Sequence, residues 1–223
     1  MKPRRSEQRI QALTLIEVLA ILSAITVVAA LILPALASAK RSAQRIYCVN
    51  NLDQIGLAHR IWAGDHSEKY PLQSTSTNNG ALALLRQGVP DSQLARWNFL
   101  TMSNELTTPK ILHCPADARD AAATAFDSNF GNTNLSYFVG LDASEDFPQM
   151  ILSGDDNLAI GGVLVNSGIL NLPTNATIAW THERHIKAGN IGLADGSAQQ
   201  VTINGLQVAL LQTGLATNHL VIP

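Results

Sequence analysis

The sequence predicts an α+β protein: a long N-terminal helix, membrane-spanning in its first half, packed on a C-terminal head with a small antiparallel β-sheet. Three observations predict it. Leu13 to Leu33 is an apolar run of 21 residues interrupted by one carboxylate, Glu17. Beyond Pro34 no further proline occurs until Pro71, and the stretch between is rich in Ala, Leu, Arg and Gln. Toward the C-terminus, short apolar or alternating segments are bounded by Gly, Asn and Asp, the pattern of strands and turns.

Residues 1–12, MKPRRSEQRIQA, read as a basic leader. At about 1.5 Å per residue the helix over 13–33 spans roughly 30 Å, the hydrocarbon thickness of a bilayer. A secretory signal peptide has an apolar stretch of only about 7–15 residues, so this run reads as a retained span. Lys2, Arg4, Arg5 and Arg9 place the N-terminus on the cytoplasmic side and send the remaining mass outward. Lys40, Arg41 and Arg45 follow on the far side of the run. An ionisable group inside a span costs about 2.5–3.5 kcal/mol on insertion scales, so Glu17 requires a partner or a place near the interface. Pro34 lacks an amide N–H and clashes with the preceding turn, which predicts a kink or local melting near Leu31 to Leu33.

Residues 34–63 form the stem, where Ile55, Ala58 and Trp62 share one helical face able to pack on a globular domain. Residues 64–223 form the head, a single domain of ordinary size. In it, Tyr70-Pro71 opens a polar loop, and short helical segments follow at Ala81 to Gln87 and Asn98 to Glu105. Residues 118–136 read as a loop with one helical turn. Strands are expected at Leu158 to Val165, Thr177 to Thr181, Gly189 to Leu193 and Ala198 to Ile203. Asp195-Gly196, between the last two, predicts a hairpin of type I′. Helical spacing resumes from Gly205 to Thr213.

Cys48 and Cys114 are the only two cysteines. They allow one disulfide, worth about 4 kcal/mol in the chain-entropy model, or two separate buried thiols. Cys-x-x-Cys spacing is absent, so a zinc or redox motif has no support.

The string Ala12-Leu13-Thr14-Leu15-Ile16-Glu17 resembles the processing site of type IV pilin-like proteins, among which the chain is most similar to pseudopilins of type II secretion systems. The resemblance implies cleavage by a prepilin peptidase between Ala12 and Leu13, with methylation of the new N-terminal Leu13. Glu17 is then the fifth mature residue and Pro34 the twenty-second, both positions that match the family's pattern. Ala12 stands where the family usually has Gly, and Leu13 where it has Phe. The family implies that Glu17 pairs with the freed amino group of a neighbouring subunit and sets filament register. Loss of the leader, with four basic residues and Glu7, would change the formal net charge from −2 to −5.

His185 lies ten residues before Asp195-Gly196, and this resembles the His-x9-Asp-Gly signature of pilin-like proteins numerous in Planctomycetes and Verrucomicrobia. Cys48-Val-Asn-Asn-Leu-Asp-Gln-Ile-Gly and Cys114-Pro-Ala-Asp also look like stretches of that group. The resemblance implies an inner-membrane, single-pass precursor with a periplasmic head that enters a periplasmic filament. Its implied partners are other pilin-like subunits, the prepilin peptidase and an inner-membrane assembly platform. By their residues alone, Asp195-Gly196 is a turn and His185 braces the strand region before it.

Asp155, Asp156 and Asn157 are candidate calcium ligands, since some major pseudopilins bind calcium in their heads; a solvated turn is the plainer reading. His182 and His185 stand three apart rather than the four of a zinc-protease helix, which leaves an anchored metal hydrolase a distant third reading. No Gly-x-Ser-x-Gly, phosphate loop, dinucleotide fingerprint or basic stripe occurs, so neither an enzyme nor a nucleic-acid binder is expected. The main alternative to a filament subunit is an unprocessed, single-pass anchored periplasmic binding domain. No resident cofactor is expected beyond the calcium candidate.

Overall fold

The computed structural model describes residues 14–73, 80–119 and 121–223. Ala12, Leu13 and the leader lie outside the described residues.

Helix α1 runs from Leu15 to Asp65. Its start is a capping box written as Thr14-Leu15-Ile16-Glu17. Glu17 Oε2 accepts from the Thr14 N–H at 2.8 Å, and Thr14 Oγ1 accepts from the Glu17 N–H at 3.4 Å. The helix is unbroken through Pro34, so the local melting expected at Leu31 to Leu33 does not occur. Proline removes only the N–H that the Ala30 carbonyl would have received, and the flanking Ala and Leu residues carry the helix across.

The chain divides into two compact units, Met1–Ser42 and Ala43–Pro223. In the first, residues 14–42 are exposed throughout, and the helix is long and apolar enough to cross a membrane. Two of its hydroxyls are satisfied by the helix itself: Ser23 Oγ donates to the Ala20 carbonyl and Thr26 Oγ1 to the Ser23 carbonyl, both at 2.8 Å.

The second unit begins inside α1, earlier than the boundary at residue 64 expected from sequence. Cys48, Leu52, Ile55, Ala58 and Trp62 recur at helical spacing and are all buried, so this half of the helix belongs to the head's core. Short helices follow: α2 (Ala81–Arg86), α3 (Leu94–Thr101) and α4 (Ser103–Leu106). The single helix expected at 98–105 is thus two, separated at Met102.

Strands β1 (Tyr137–Gly140), β2 (Ile151–Asp155), β3 (Leu158–Ile160), β4 (Val163–Leu164), β5 (Gly168–Pro173), β6 (Ile178–Trp180), β7 (Ala188–Leu193) and β8 (Ala198–Thr202) come next. Helix α5 (Ile203–Gln212) and strand β9 (Thr217–Ile222) close the chain. A six-stranded antiparallel sheet has the order β5-β9-β1-β2-β7-β8, and β4-β3-β6 form a smaller three-stranded one. The large sheet has a core on each face. Tyr137, Val139 and Val221 join α1 and α3 in one; Phe138, Leu220 and Ile222 join α5 and β6 in the other.

Two turn expectations are corrected. The segment Leu158 to Val165 is a hairpin, β3 to β4, turning at Gly161-Gly162 with positive φ at both. The β7–β8 connection is not a type I′ turn, because Gly196 alone has positive φ, at 87°. The Gly196 N–H donates to the Leu193 carbonyl at 3.0 Å and the Leu193 N–H to the Ser197 carbonyl at 2.8 Å. That is a three-residue loop with a glycine bulge.

Candidate functional site

Three of the sequence stretches that carry the resemblance, those beginning at Cys48, Cys114 and His185, meet along β7. Cys48, Asn51, Leu52, Ile55 and Gly56 lie on the buried face of α1. At one end, Cys48 forms a disulfide with Cys114, with Cα atoms 5.5 Å apart. Asn51, one turn further along α1, donates through Nδ2 to the Tyr137 hydroxyl at 3.2 Å and to the His113 carbonyl at 3.3 Å. The loop before β7 brings in His185, whose side chain is 2% exposed. Its Nε2 lies 3.5 Å from Cys114 Sγ and 3.5 Å from Asp155 Oδ2. Ile186 and Lys187 reach β7 with φ of 54° and 59°, which reverses the chain directly after the imidazole.

Asp155, at the end of β2, is fully buried. Its Oδ2 accepts from the Asn190 backbone N–H at 2.8 Å and from Asn190 Nδ2 at 2.9 Å, while Oδ1 has no hydrogen-bond partner. Burial raises its pKa to about 7 against the opposing effects of Arg184 and Asn190. Burial, reinforced by the charges of Arg45 and Arg184, lowers His185 to about 4. The imidazole is therefore neutral at pH 7, and its approach to Asp155 is a contact rather than a charged pair.

Beside this pocket, two arginines and two aspartates balance their charges. Arg184 donates through Nη2 to Asp117 Oδ2 at 2.6 Å and to Asp156 Oδ1, and through Nη1 to the Ser136 carbonyl at 2.6 Å. Arg119 Nη2 reaches Asp117 Oδ2 and Asp156 Oδ2, each at 3.0 Å. Burial works upward on Asp117, but hydrogen bonds from Arg119, the Arg184 charge and Ser136 hold it at about 2. So Cys114-Pro-Ala-Asp117 supplies the disulfide at one end and an ion-pair carboxylate at the other.

At the far end of β7 the Asp195-Gly196 turn meets α1. Arg60 Nη1 donates to the Asp195 carbonyl at 3.1 Å, and Asp195 Oδ1 accepts from the Ser197 N–H at 2.9 Å and hydroxyl at 2.6 Å. A Cβ on Gly56 would stand 3.1 Å from the Gly196 Cα and carbonyl oxygen, so these backbones pack without room for a side chain. The His-x9-Asp-Gly spacing thus measures one strand, with His185 against the disulfide and Asp195-Gly196 against the helix.

Other sequence candidates fall elsewhere. Asp155, Asp156 and Asn157 are buried, not a solvated turn, and their side chains diverge. Asp156 is engaged by Arg119 and Arg184, Asp155 by Asn190, and neither Asn157 side-chain atom has a hydrogen-bond partner. A calcium ion there would have to displace two guanidinium groups. His182 is exposed and takes no part in the His185 cluster. Asn51, Tyr137, Asn190 and Arg184 are site residues that the sequence motifs did not single out. Asn51 and Arg184 were within reach, one a helical turn from Cys48 and the other adjacent to His185.

Glu17 is exposed and satisfied from within its own chain: the Thr14 hydroxyl also donates to Oε2, at 2.8 Å. The sequence reading of an unpartnered acid missed the Thr-x-x-Glu capping pattern that is plain in the string. Up to Lys40, Glu17 is the only ionisable residue in the described part of the helix.

No protein-family model matches the chain, and neither does any curated protein or solved structure.

Proposed function

We propose that the chain is the precursor of a type IV pilin-like filament subunit, most similar to pseudopilins of type II secretion systems. The observation that carries this reading is α1: one unbroken helix, apolar and exposed over Leu15 to Leu36, that becomes core of the head from Cys48 onward. A plain anchor needs only a span and a linker, whereas a helix shared between anchor and head suits a subunit that assembles through its spine. In this reading a prepilin peptidase cuts between Ala12 and Leu13, Leu13 is methylated, and an inner-membrane platform moves the subunit into a periplasmic filament. Other subunits then replace lipid around the apolar helix. Glu17 would bind a neighbour's amino terminus through Oε1, since Thr14 engages Oε2. Pro34 would leave the Ala30 carbonyl free to adapt at the crossing.

The test is intact-mass and N-terminal peptide mass spectrometry on protein from its native membrane. A terminus at Leu13 carrying one added methyl group is the expected result. The capping box favours a second reading, because it accounts for Glu17 without a neighbouring subunit: an unprocessed, single-pass anchored periplasmic binding domain. Retention of Met1 or Lys2 in cells with active prepilin peptidase would establish that alternative. In the filament reading, Glu17→Ala leaves processing intact and lowers incorporation; normal incorporation would remove the register role.

A further inference from the structure

The geometry points to a second state of the disulfide pocket: once the Cys48–Cys114 bond is reduced, Cys48, Cys114, His185 and Asp155 form a closed zinc site. One ligand atom from each of the four lies within 4.8 Å of the others. Tetrahedral zinc with bonds of about 2.0–2.3 Å places its ligand atoms about 3.3–3.8 Å apart. His185 Nε2 already meets that spacing, at 3.5 Å from both Cys114 Sγ and Asp155 Oδ2. The two sulfurs must separate, by rotation about their own side chains, and the ligand atoms, all within 4.8 Å of one another, must close on the ion.

The surroundings suit a metal. Asp155 Oδ1 is a buried acceptor without a partner, and Oδ2 is oriented by two donors from Asn190, the kind of outer support that metal-bound carboxylates receive. Two thiolates, one carboxylate and a neutral imidazole around Zn²⁺ carry a net charge of −1. Arg45 and Arg184 both act electrostatically on this pocket and offset it. Four protein ligands leave no open position, so the ion would be structural, not hydrolytic.

The chemistry balances with a phosphine as reductant. Phosphine and water convert the disulfide to two thiols and a phosphine oxide; zinc then displaces both thiol protons to solvent. The pocket would hold a covalent cross-link in an oxidising compartment and a metal cross-link in a reducing one, keeping α1 tied to the segment after Leu112 in both. The inference does not depend on the role of the apolar helix.

The test uses the full chain in detergent, oxidised or phosphine-reduced, titrated anaerobically with Co²⁺ and then Zn²⁺. The expected result is one Co²⁺ per reduced chain, with the visible bands of tetrahedral cobalt and a near-ultraviolet thiolate charge-transfer band, both abolished by Zn²⁺ and absent from the oxidised chain. His185→Gln should weaken Co²⁺ binding at least about tenfold while both thiols remain titratable. A reduced chain with two free thiols and no tetrahedral cobalt spectrum overturns the site. Thermal unfolding covers the case in which reduction loosens the head: Zn²⁺ should raise the midpoint of the reduced chain and leave the oxidised chain unchanged, and unfolding despite saturating Zn²⁺ also overturns it.

Discussion

His59 is a fully buried imidazole with a fixed tautomer. Its Nδ1–H donates to the Ile55 carbonyl at 2.9 Å, and its Nε2 accepts from Asn98 Nδ2 at 3.1 Å. Burial lowers its pKa from 6.5 to about 4, against the bond to the Ile55 carbonyl, which favours the proton. A folded-state pKa below the unfolded value means that the unfolded chain binds more protons, so this stability is full above pH 6.5 and is lost as pH falls toward 4. His185 has the same sign, whereas Asp155, raised to about 7, gains as pH falls through that window and offsets one histidine. Asp156 and Asp53, raised by burial, have the sign of Asp155, so the net slope is shared, and the part that belongs to His59 is a loss of about 3 kcal/mol. In urea midpoints measured from pH 7 to pH 4, His59→Gln should therefore lose less stability toward pH 4 than the parent, whatever its cost at neutral pH. An unchanged slope in that variant would assign the acid sensitivity elsewhere.

At the scale of elements, the contact between α1 and the β7–β8 turn gives a paired test. Helix propensity alone makes Gly→Ala stabilising by about 0.8–1 kcal/mol. At Gly56 the new methyl would press on the Gly196 backbone at 3.1 Å, in a turn held by Arg60, and overpacking costs about 1–3 kcal/mol. At Gly64, in the same helix, the methyl meets nothing within 4 Å. Gly56→Ala should lower the thermal midpoint and Gly64→Ala should hold or raise it; a rise in both would refute the close contact. The same elements explain what the sequence made legible. β7 and β8 were found because a turn pair separates two compact runs. β1, β2, β5 and β9 were missed; in β1, Tyr137 and Val139 enter one core and Phe138 the other, so burial is continuous and the period-two signal disappears. Cys48, Cys114 and His185 stood out as separate motifs, yet their meeting depends on strand order across separations of 66 and 71 residues, which no local pattern encodes.

For the whole molecule, the decisive feature is where the head begins. Composition places the boundary after the stem, at residue 64, because the helix pattern runs on unchanged to that point. The structure places it at Ala43, because the stem's inner face fills the core around Leu94, Phe99, Leu112 and Tyr137. The two boundaries make opposite demands on a truncated chain. A chain starting at Ala43 keeps Cys48, Leu52, Ile55 and Trp62, loses no buried residue among the described ones, and should be soluble without detergent with one cooperative unfolding transition. A chain starting at Gly64 loses the disulfide and the large buried apolar side chains Leu52, Ile55 and Trp62; at about 1.5–3 kcal/mol for each of these three, the loss rivals the whole stability of a domain this size. It should show no cooperative transition by calorimetry and no fixed near-ultraviolet circular dichroism. Cooperative folding of the shorter chain would show the stem to be a detachable linker, and would remove the observation on which the shared-helix reading of function rests.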